Sequence, residues 1–204
     1  MMSIYIINRA DRPQRLAHMR EQLRVQKLNG RRVEAVIDKP GWKGCAKSHL
    51  QVIEEHKDDL FWLVLEDDVK FLGDVQGTLK VALKELPEDW DILYLGCNPR
   101  KHQKQYSEHL FKIDGAVCNH AVLYHPREGG LVEYLLAHKD EVEKIDRYFM
   151  EVLQPKFNCY CVYPLLATQD SKFKSDTCKR ADYDQIFTNY LKYIVAYAGD
   201  NKTI

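Results

Sequence analysis

Glu66, Asp67 and Asp68 stand side by side directly after an apolar run, Leu-Phe-Trp-Leu-Val-Leu over residues 60–65. Three adjacent carboxylates repel one another, so folding alone gives little reason to gather them at the end of a strand. A divalent cation or a hydroxyl-rich ligand gives such a reason. Hard oxygen donors with open coordination positions suit Mg²⁺ or Mn²⁺, which can in turn hold a phosphate. An exposed, solvated acidic turn is the competing reading. In open α/β sheets ligands bind beyond the carboxyl ends of the strands, the place this cluster would occupy.

The flanking sequence predicts the scaffold. Residues 3–8 read as a first strand ending in Asn8-Arg9, and Pro13 suits the first turn of a helix with Leu16, Met19 and Leu23 as its apolar face. Asn29-Gly30 closes that helix. A second strand follows over 32–37, a helix over 46–56, the strand 60–65, a helix over 75–86 and a strand over 90–95 that ends at Gly96. Strands alternating with helices predict a mostly parallel α/β sheet with crossover helices on its faces. Beyond residue 100 the pattern changes to a polar loop over 101–108, strands over 110–113 and 118–124, helices over about 127–138 and 145–153, and a strand over 158–163. Tyr183, Ile186, Phe187, Tyr190, Ile194 and Tyr197 recur at helical spacing near the C-terminus. There is no internal repeat, so one domain is expected over 1–204, with a ligand-binding half (1–100) and an acceptor-side half (101–204).

Composition bounds the partners. Lys+Arg and Asp+Glu are both 30, so bulk charge implies no nucleic acid. The six cysteines form no C-x-x-C pair, and Cys159 and Cys161 alternate on one strand as core thiols. Without a signal peptide or an apolar run of about 20 residues, no transmembrane segment is expected and the location is expected to be cytoplasmic.

Several blocks together resemble glycosyltransferase family 25, which includes lipooligosaccharide galactosyltransferases and relatives of the collagen galactosyltransferases. Ile4-Tyr-Ile-Ile-Asn8-Arg9 with Arg12 and Arg15 is similar to its opening. Gly44-Cys-Ala-Lys-Ser-His49 is similar to its Gly-Cys-x-x-Ser-His element, Leu65-Glu-Asp-Asp-Val69 to its acidic signature, and Trp90-Asp-Ile-Leu-Tyr-Leu-Gly96 to its next strand. Gly115 through Tyr124, and Tyr163 through Gln169 with Ser175-Asp176, resemble its later blocks. The resemblance implies a GT-A, Rossmann-like nucleotide-sugar fold and transfer of galactose or glucose from a UDP-sugar to a glycan, glycolipid or glycoprotein hydroxyl; with no anchor expected, the expected setting is a bacterial-type or viral enzyme.

The same resemblance implies roles. Asp68 would hold Mn²⁺ or Mg²⁺ on the donor diphosphate, Asp67 would help directly or through water, and Glu66 would meet ribose or donor-sugar hydroxyls. Asn8 and Arg9 would lie against base and phosphates. Asp38 either binds uracil or ribose or shapes the turn before Pro40. Lys47, Ser48 and His49 are expected at a helix start, where anions are favoured; Ser48 as an N-cap is the alternative, and His49 is a catalytic candidate. Arg12 and Arg15 are weaker phosphate candidates, since ion pairs to Asp11 or Glu21 explain them equally. Asp146 is the candidate general base for an inverting transfer, with Asp91, Asp114 and Asp176 as competitors. Gln169 and Asp176 would close the site on the acceptor side. A nucleotide-sugar-binding module without catalysis and a metal-dependent phosphotransferase are the alternative functions.

Overall fold

A computed structural model describes residues 2–173 of the chain. Asp176 and the tyrosine-bearing stripe over 183–197 lie outside the described residues. Strand β1 (Ser3–Asn8) leads into helix α1 (Pro13–Val25), β2 (Arg31–Glu34), helix α2 (Gly41–His56) and β3 (Trp62–Glu66). A short β4 (Val69–Phe71) precedes helix α3 (Val75–Glu85) and β5 (Ile92–Tyr94). The second half holds β6 (Asn98–Pro99), β7 (Lys104–Gln105), β8 (Leu110–Lys112), β9 (Ala116–Val117), β10 (Ala121–Tyr124), α4 (Leu131–Ala137) and α5 (Ile145–Tyr148). A π-helical turn, Phe149–Leu153, continues α5, and β11 (Cys159–Val162) and β12 (Ala167–Gln169) follow.

The 8-stranded sheet has the order β2-β1-β3-β10-β5-β11-β8-β7. Strands β2, β1, β3, β5, β11 and β7 point one way, and β10 and β8 run against them. Central strands are apolar on both faces because helices cover both. Ile4, Ile6, Leu63, Leu65, Leu93 and Leu123 face α1 and α3, meeting Met19, Leu23, Val75 and Leu79. Tyr5, Ile7, Trp62, Val64, Tyr94 and Val122 face the other way, onto Val52, Ile53, Leu131, Leu135 and Ile145 from α2, α4 and α5. The period of two along each strand thus splits one apolar run into two cores. Cys159 and Cys161 are both fully buried, as expected.

Three expectations shift. Helix α2 begins at Gly41 rather than near residue 46, because Pro40, extended at φ −68° and ψ 160°, already serves as its N-cap. The chain after the acidic cluster forms β4, which pairs antiparallel with β12 in a separate 2-stranded sheet. The strand expected over 118–124 is shorter, β10 alone, and Cys118, whose φ is +80°, follows the separate strand β9 and breaks the extended run before β10 begins.

Candidate functional site

Beyond the carboxyl ends of β1, β2 and β3 lies a cavity of about 260 Å³. Its lining joins both halves of the chain: Asn8, Arg9, Arg12, Arg15 and Asp38 from the first segments, Ser48, His49, Glu66, Asp67 and Asp68 from the middle, and Asn119, Asp146 and Gln169 from the second half. The parallel register places Glu66 opposite Ile7, so β1 and β3 end side by side and deliver Asn8 and the acidic cluster to one rim. Lys47 does not line the cavity. It is exposed, and its Nζ lies 2.5 Å from Asp38 Oδ2.

The three carboxylates differ in what holds them. Asp67 accepts hydrogen bonds from Asn8 Nδ2 at 2.8 Å and Arg15 Nη1 at 2.7 Å. Asn8 also accepts from Arg32 Nε at 3.0 Å, so its amide ties the ends of β1 and β2 to the acidic turn. Arg15 is a correction to the sequence expectation of a surface ion pair. It is buried on α1 and reaches Asp67, while Asp11 pairs with Arg9 and Glu21 with Arg24. An arginine sitting among apolar α1 positions has a charged destination in the fold, which periodicity alone does not reveal.

Asp68 is held more loosely. Gln169 Nε2 donates to its Oδ1 at 3.3 Å, and Arg15 Nη1 lies 3.5 Å from its Oδ2. The β4–β12 pairing delivers Gln169, and the Asp170 N–H donates to the Asp68 carbonyl at 2.7 Å. Burial, reinforced by the charge of Glu66, pushes the Asp68 carboxyl up to about 7, against the pull of Arg15. A buried acid raised in this way gains from any cation placed beside it. Hard carboxylate oxygens from Asp68 and its neighbours fit Mg²⁺ or Mn²⁺ by donor type.

Glu66 faces α2. Burial alone would raise it, but the hydrogen bond from His49 Nε2 at 3.1 Å, with the nearby His120 and Arg15, holds it below the usual range. Cys45 Sγ, one turn before His49, is 3.9 Å from the same Oε1. Ligand atoms of Cys45, His49 and Glu66 lie within 4.8 Å of one another. Thiol and imidazole donors suit Zn²⁺ better than Mg²⁺ or Mn²⁺. Burial and the surrounding carboxylates push the Cys45 thiol well up, so it favours the protonated form. With His49 Nε2 engaged on Glu66, the trio acts as an orienting network for that carboxylate.

The Gly44-Cys-Ala-Lys-Ser-His49 element now has a physical explanation. A Cβ on Gly44 would come within 2.6 Å of the Val36 carbonyl oxygen, so only glycine lets α2 approach the segment after β2 so closely. Ser48 Oγ accepts from Val36 N–H at 2.8 Å and donates to the Gly44 carbonyl at 2.7 Å. Ser48 is therefore neither an N-cap nor at a helix start, as the sequence led us to expect. With α2 beginning at Gly41, residues 47–49 are its seventh to ninth, at the end of the second turn and in the third, beyond reach of the helix N-terminus. Asp38 lines the cavity and accepts the Lys39 N–H at 2.6 Å in the turn before Pro40.

On the far wall, Asp146 opens α5 and accepts a hydrogen bond from Asn119 N–H at 3.0 Å. Burial and the charge of Glu66 push Asp146 up to about 6, moderated by the Asn119 amide. Of its competitors, Asp176 lies outside the described residues, and the other two do not reach the cavity. Asp91 is wholly buried beneath α4, accepting from Arg127, Leu131 and Asn158, and Asp114 is an exposed partner of Lys101. Asn119 and His120 were missed from sequence. Neither belongs to a charged cluster, and only the three-dimensional junction of β9, β10 and α5 brings them to the cavity. Burial pushes His120 down to about 4.

No protein-family model and no curated protein matches the chain. Among solved structures, A197 from STIV matches with a TM-score of 0.54 at 14% identity, covering 86% of this chain and 87% of that one. A glycosyltransferase involved in the glycosylation of the major capsid of PBCV-1 matches with a TM-score of 0.50 at 10% identity, covering 92% of this chain and 99% of that one. At these identities the likeness is one of fold. The chain has a glycosyltransferase-like, GT-A-type α/β fold.

Proposed function

We propose that the protein is a metal-dependent glycosyltransferase that moves a hexose, galactose or glucose, from a UDP-sugar to a hydroxyl of a glycan, glycolipid or glycoprotein, with inversion. The resemblance to glycosyltransferase family 25 supports the choice of donor and sugar. The observation that carries the proposal is the state of Asp68. It is a buried carboxylate at a strand end, raised to about 7, and among the described residues its side chain is restrained by contacts of 3.3 and 3.5 Å.

In this reading Asp68 is the principal ligand of Mn²⁺ or Mg²⁺, and Asp67, already committed to Asn8 and Arg15, shapes the site behind it. A bound divalent cation would neutralise charge on the donor diphosphate. Arg9 and Arg12, on the same wall, supply guanidinium forks suited to phosphate oxygens. Glu66, oriented by His49, faces donor hydroxyls, so His49 serves as a positioning residue. Asp38 and Lys47 flank the mouth on the nucleoside side, and Gln169 braces Asp68.

Asp146 is the general base. The acceptor hydroxyl gives its proton to the Asp146 carboxylate as its oxygen bonds to the anomeric carbon. The bond from that carbon to the diphosphate oxygen breaks, and UDP departs with the electron pair. A carboxyl raised to about 6 is ionised at neutral pH yet more basic than an ordinary aspartate.

The test is release of UDP from a panel of UDP-sugars with a mixed glycan acceptor, with Mn²⁺ or with chelator, in wild type and Asp68→Ala. Turnover with one UDP-hexose that needs metal and vanishes in the variant supports the proposal. Binding without turnover in every condition favours a nucleotide-sugar-binding module instead.

A further inference from the structure

Most polar side chains lining the cavity spend their atoms on the protein. Asn8, Ser48 and Asp67 are each tied to neighbouring segments. Asn119 differs. It is only 1% exposed, and neither its Oδ1 nor its Nδ2 has a hydrogen-bond partner among the described residues. A buried amide left this way carries a desolvation cost that no protein contact offsets. Folding offers no return for it at this position.

The backbone carrying Asn119 is nevertheless tightly fixed. Cys118 holds a left-handed φ of +80°, a conformation that persists only when the surroundings impose it. Those surroundings come from one segment. Gln154, after the π-helical turn, accepts from Gly115 N–H at 2.9 Å and Ala116 N–H at 2.8 Å, and donates to the Ala116 carbonyl at 2.8 Å and the Tyr94 hydroxyl at 2.9 Å. Asp146 accepts from Asn119 N–H itself. Every polar atom of Gln154 is thus used to set the loop that presents Asn119. The result is an unpaired amide on a rigid support, which is how a binding group is preorganised.

Asn119 shares the cavity with Glu66, His49 and Asp146. His49 Nδ1, also buried, has no hydrogen-bond partner among the described residues. An amide offers a donor and an acceptor in one plane, which matches hydroxyl groups because each hydroxyl can both donate and accept. Surrounding carboxylates accept hydroxyl protons and repel an acidic sugar. We infer that Asn119 is the specificity-determining residue that reads ring hydroxyls of a neutral donor sugar, held in place by Gln154 and Asp146. The inference rests on the proposed transferase site and goes further by naming the group that distinguishes sugar from bare nucleotide.

Calorimetric titration with Mn²⁺ tests it, using UDP, UDP-galactose, UDP-glucose and UDP-glucuronate against wild type, Asn119→Ala and Asn119→Ser, beside thermal unfolding of each ligand-free protein. The expected result is unchanged affinity for UDP in both variants. The preferred UDP-hexose should lose about tenfold in affinity. UDP-glucuronate should bind wild type no more tightly than UDP. Ligand-free variants should unfold at the wild-type temperature or above it, since no protein hydrogen bond is lost. Equal loss of UDP and UDP-hexose, unchanged UDP-hexose binding, or a lowered unfolding temperature in both variants would assign Asn119 a structural part and overturn the inference alone. Failure of wild type to bind either UDP or any UDP-sugar would remove the transferase site itself, and the inference with it.

Discussion

One guanidinium nitrogen of Arg15 lies 2.7 Å from Asp67 and 3.5 Å from Asp68. A buried arginine therefore shares its charge unequally between neighbouring aspartates, satisfying the first and leaving the second under-compensated. In the proposed site, that asymmetry leaves Asp67 to the framework and Asp68 to the cation.

Replacing Arg15 should expose this division. Arg15→Met removes the only described ion-pair partner of a buried carboxylate pair, and such a loss costs about 3–5 kcal/mol. The prediction is a marked drop in unfolding temperature that Mn²⁺ partly restores, with a larger Mn²⁺ response than in wild type. Differential scanning calorimetry with and without Mn²⁺ checks it; equal responses would show that Arg15 and the cation do not share the same carboxylates.

Asp146 gives a pH prediction with a defined sign. Its carboxyl is raised from 3.8 to about 6, so the folded protein keeps a proton that the unfolded chain has lost over that window. Its contribution to stability therefore falls as pH rises through the window and is absent above about 6. Asp146→Asn cannot titrate, so its stability relative to wild type should increase from pH 4 upward to about pH 6 and then level off. The transfer rate of wild type should rise with an apparent pKa near 6, and Asp146→Asn should lose at least about 10²-fold in kcat. Paired denaturation curves and a pH–rate profile provide both readouts.

The close passage of α2 over the segment after β2 is open to direct test. Gly44→Ala would press a methyl against the Val36 carbonyl, with an expected cost of about 1–3 kcal/mol. Ser48→Ala should cost about 1 kcal/mol by leaving Val36 N–H without its acceptor. Both should weaken UDP binding, because the displaced segment carries Asp38. Chemical denaturation and UDP titration measure the two effects separately.

Gln154→Leu keeps bulk but strips the acceptor from Gly115 and Ala116 N–H groups. A loss of about 2–4 kcal/mol is expected. Gln154→Glu should retain more of the stability, since one carboxylate can still accept both N–H groups. Urea unfolding of the two variants decides between a hydrogen-bonding part and simple packing.

Much of the scaffold was legible in sequence because strand and helix periods are strong along residues 3–95. The apolar strand running into Glu66-Asp67-Asp68 marks the rim of the cavity in the sequence itself. Helix starts were harder to read, since Pro40 at the N-cap of α2 carries no side-chain capping signal and Pro40-Gly41 reads as a break in the chain. Arg15 was misassigned because its partner is 52 positions away in the chain. Asn119 was invisible for a related reason. What singles it out is a buried amide with no hydrogen-bond partner among the described residues, a property of packing rather than of composition.

In the proposed site Asp68 holds a divalent cation on the diphosphate of a nucleotide donor. Titration of UDP into the protein by calorimetry, with Mn²⁺ and then with chelator, for wild type and Asp68→Asn, tests this. Mn²⁺-dependent UDP binding is expected in wild type, together with its loss in a folded Asp68→Asn protein. UDP binding of equal strength in the presence of chelator, or in the variant, would contradict it.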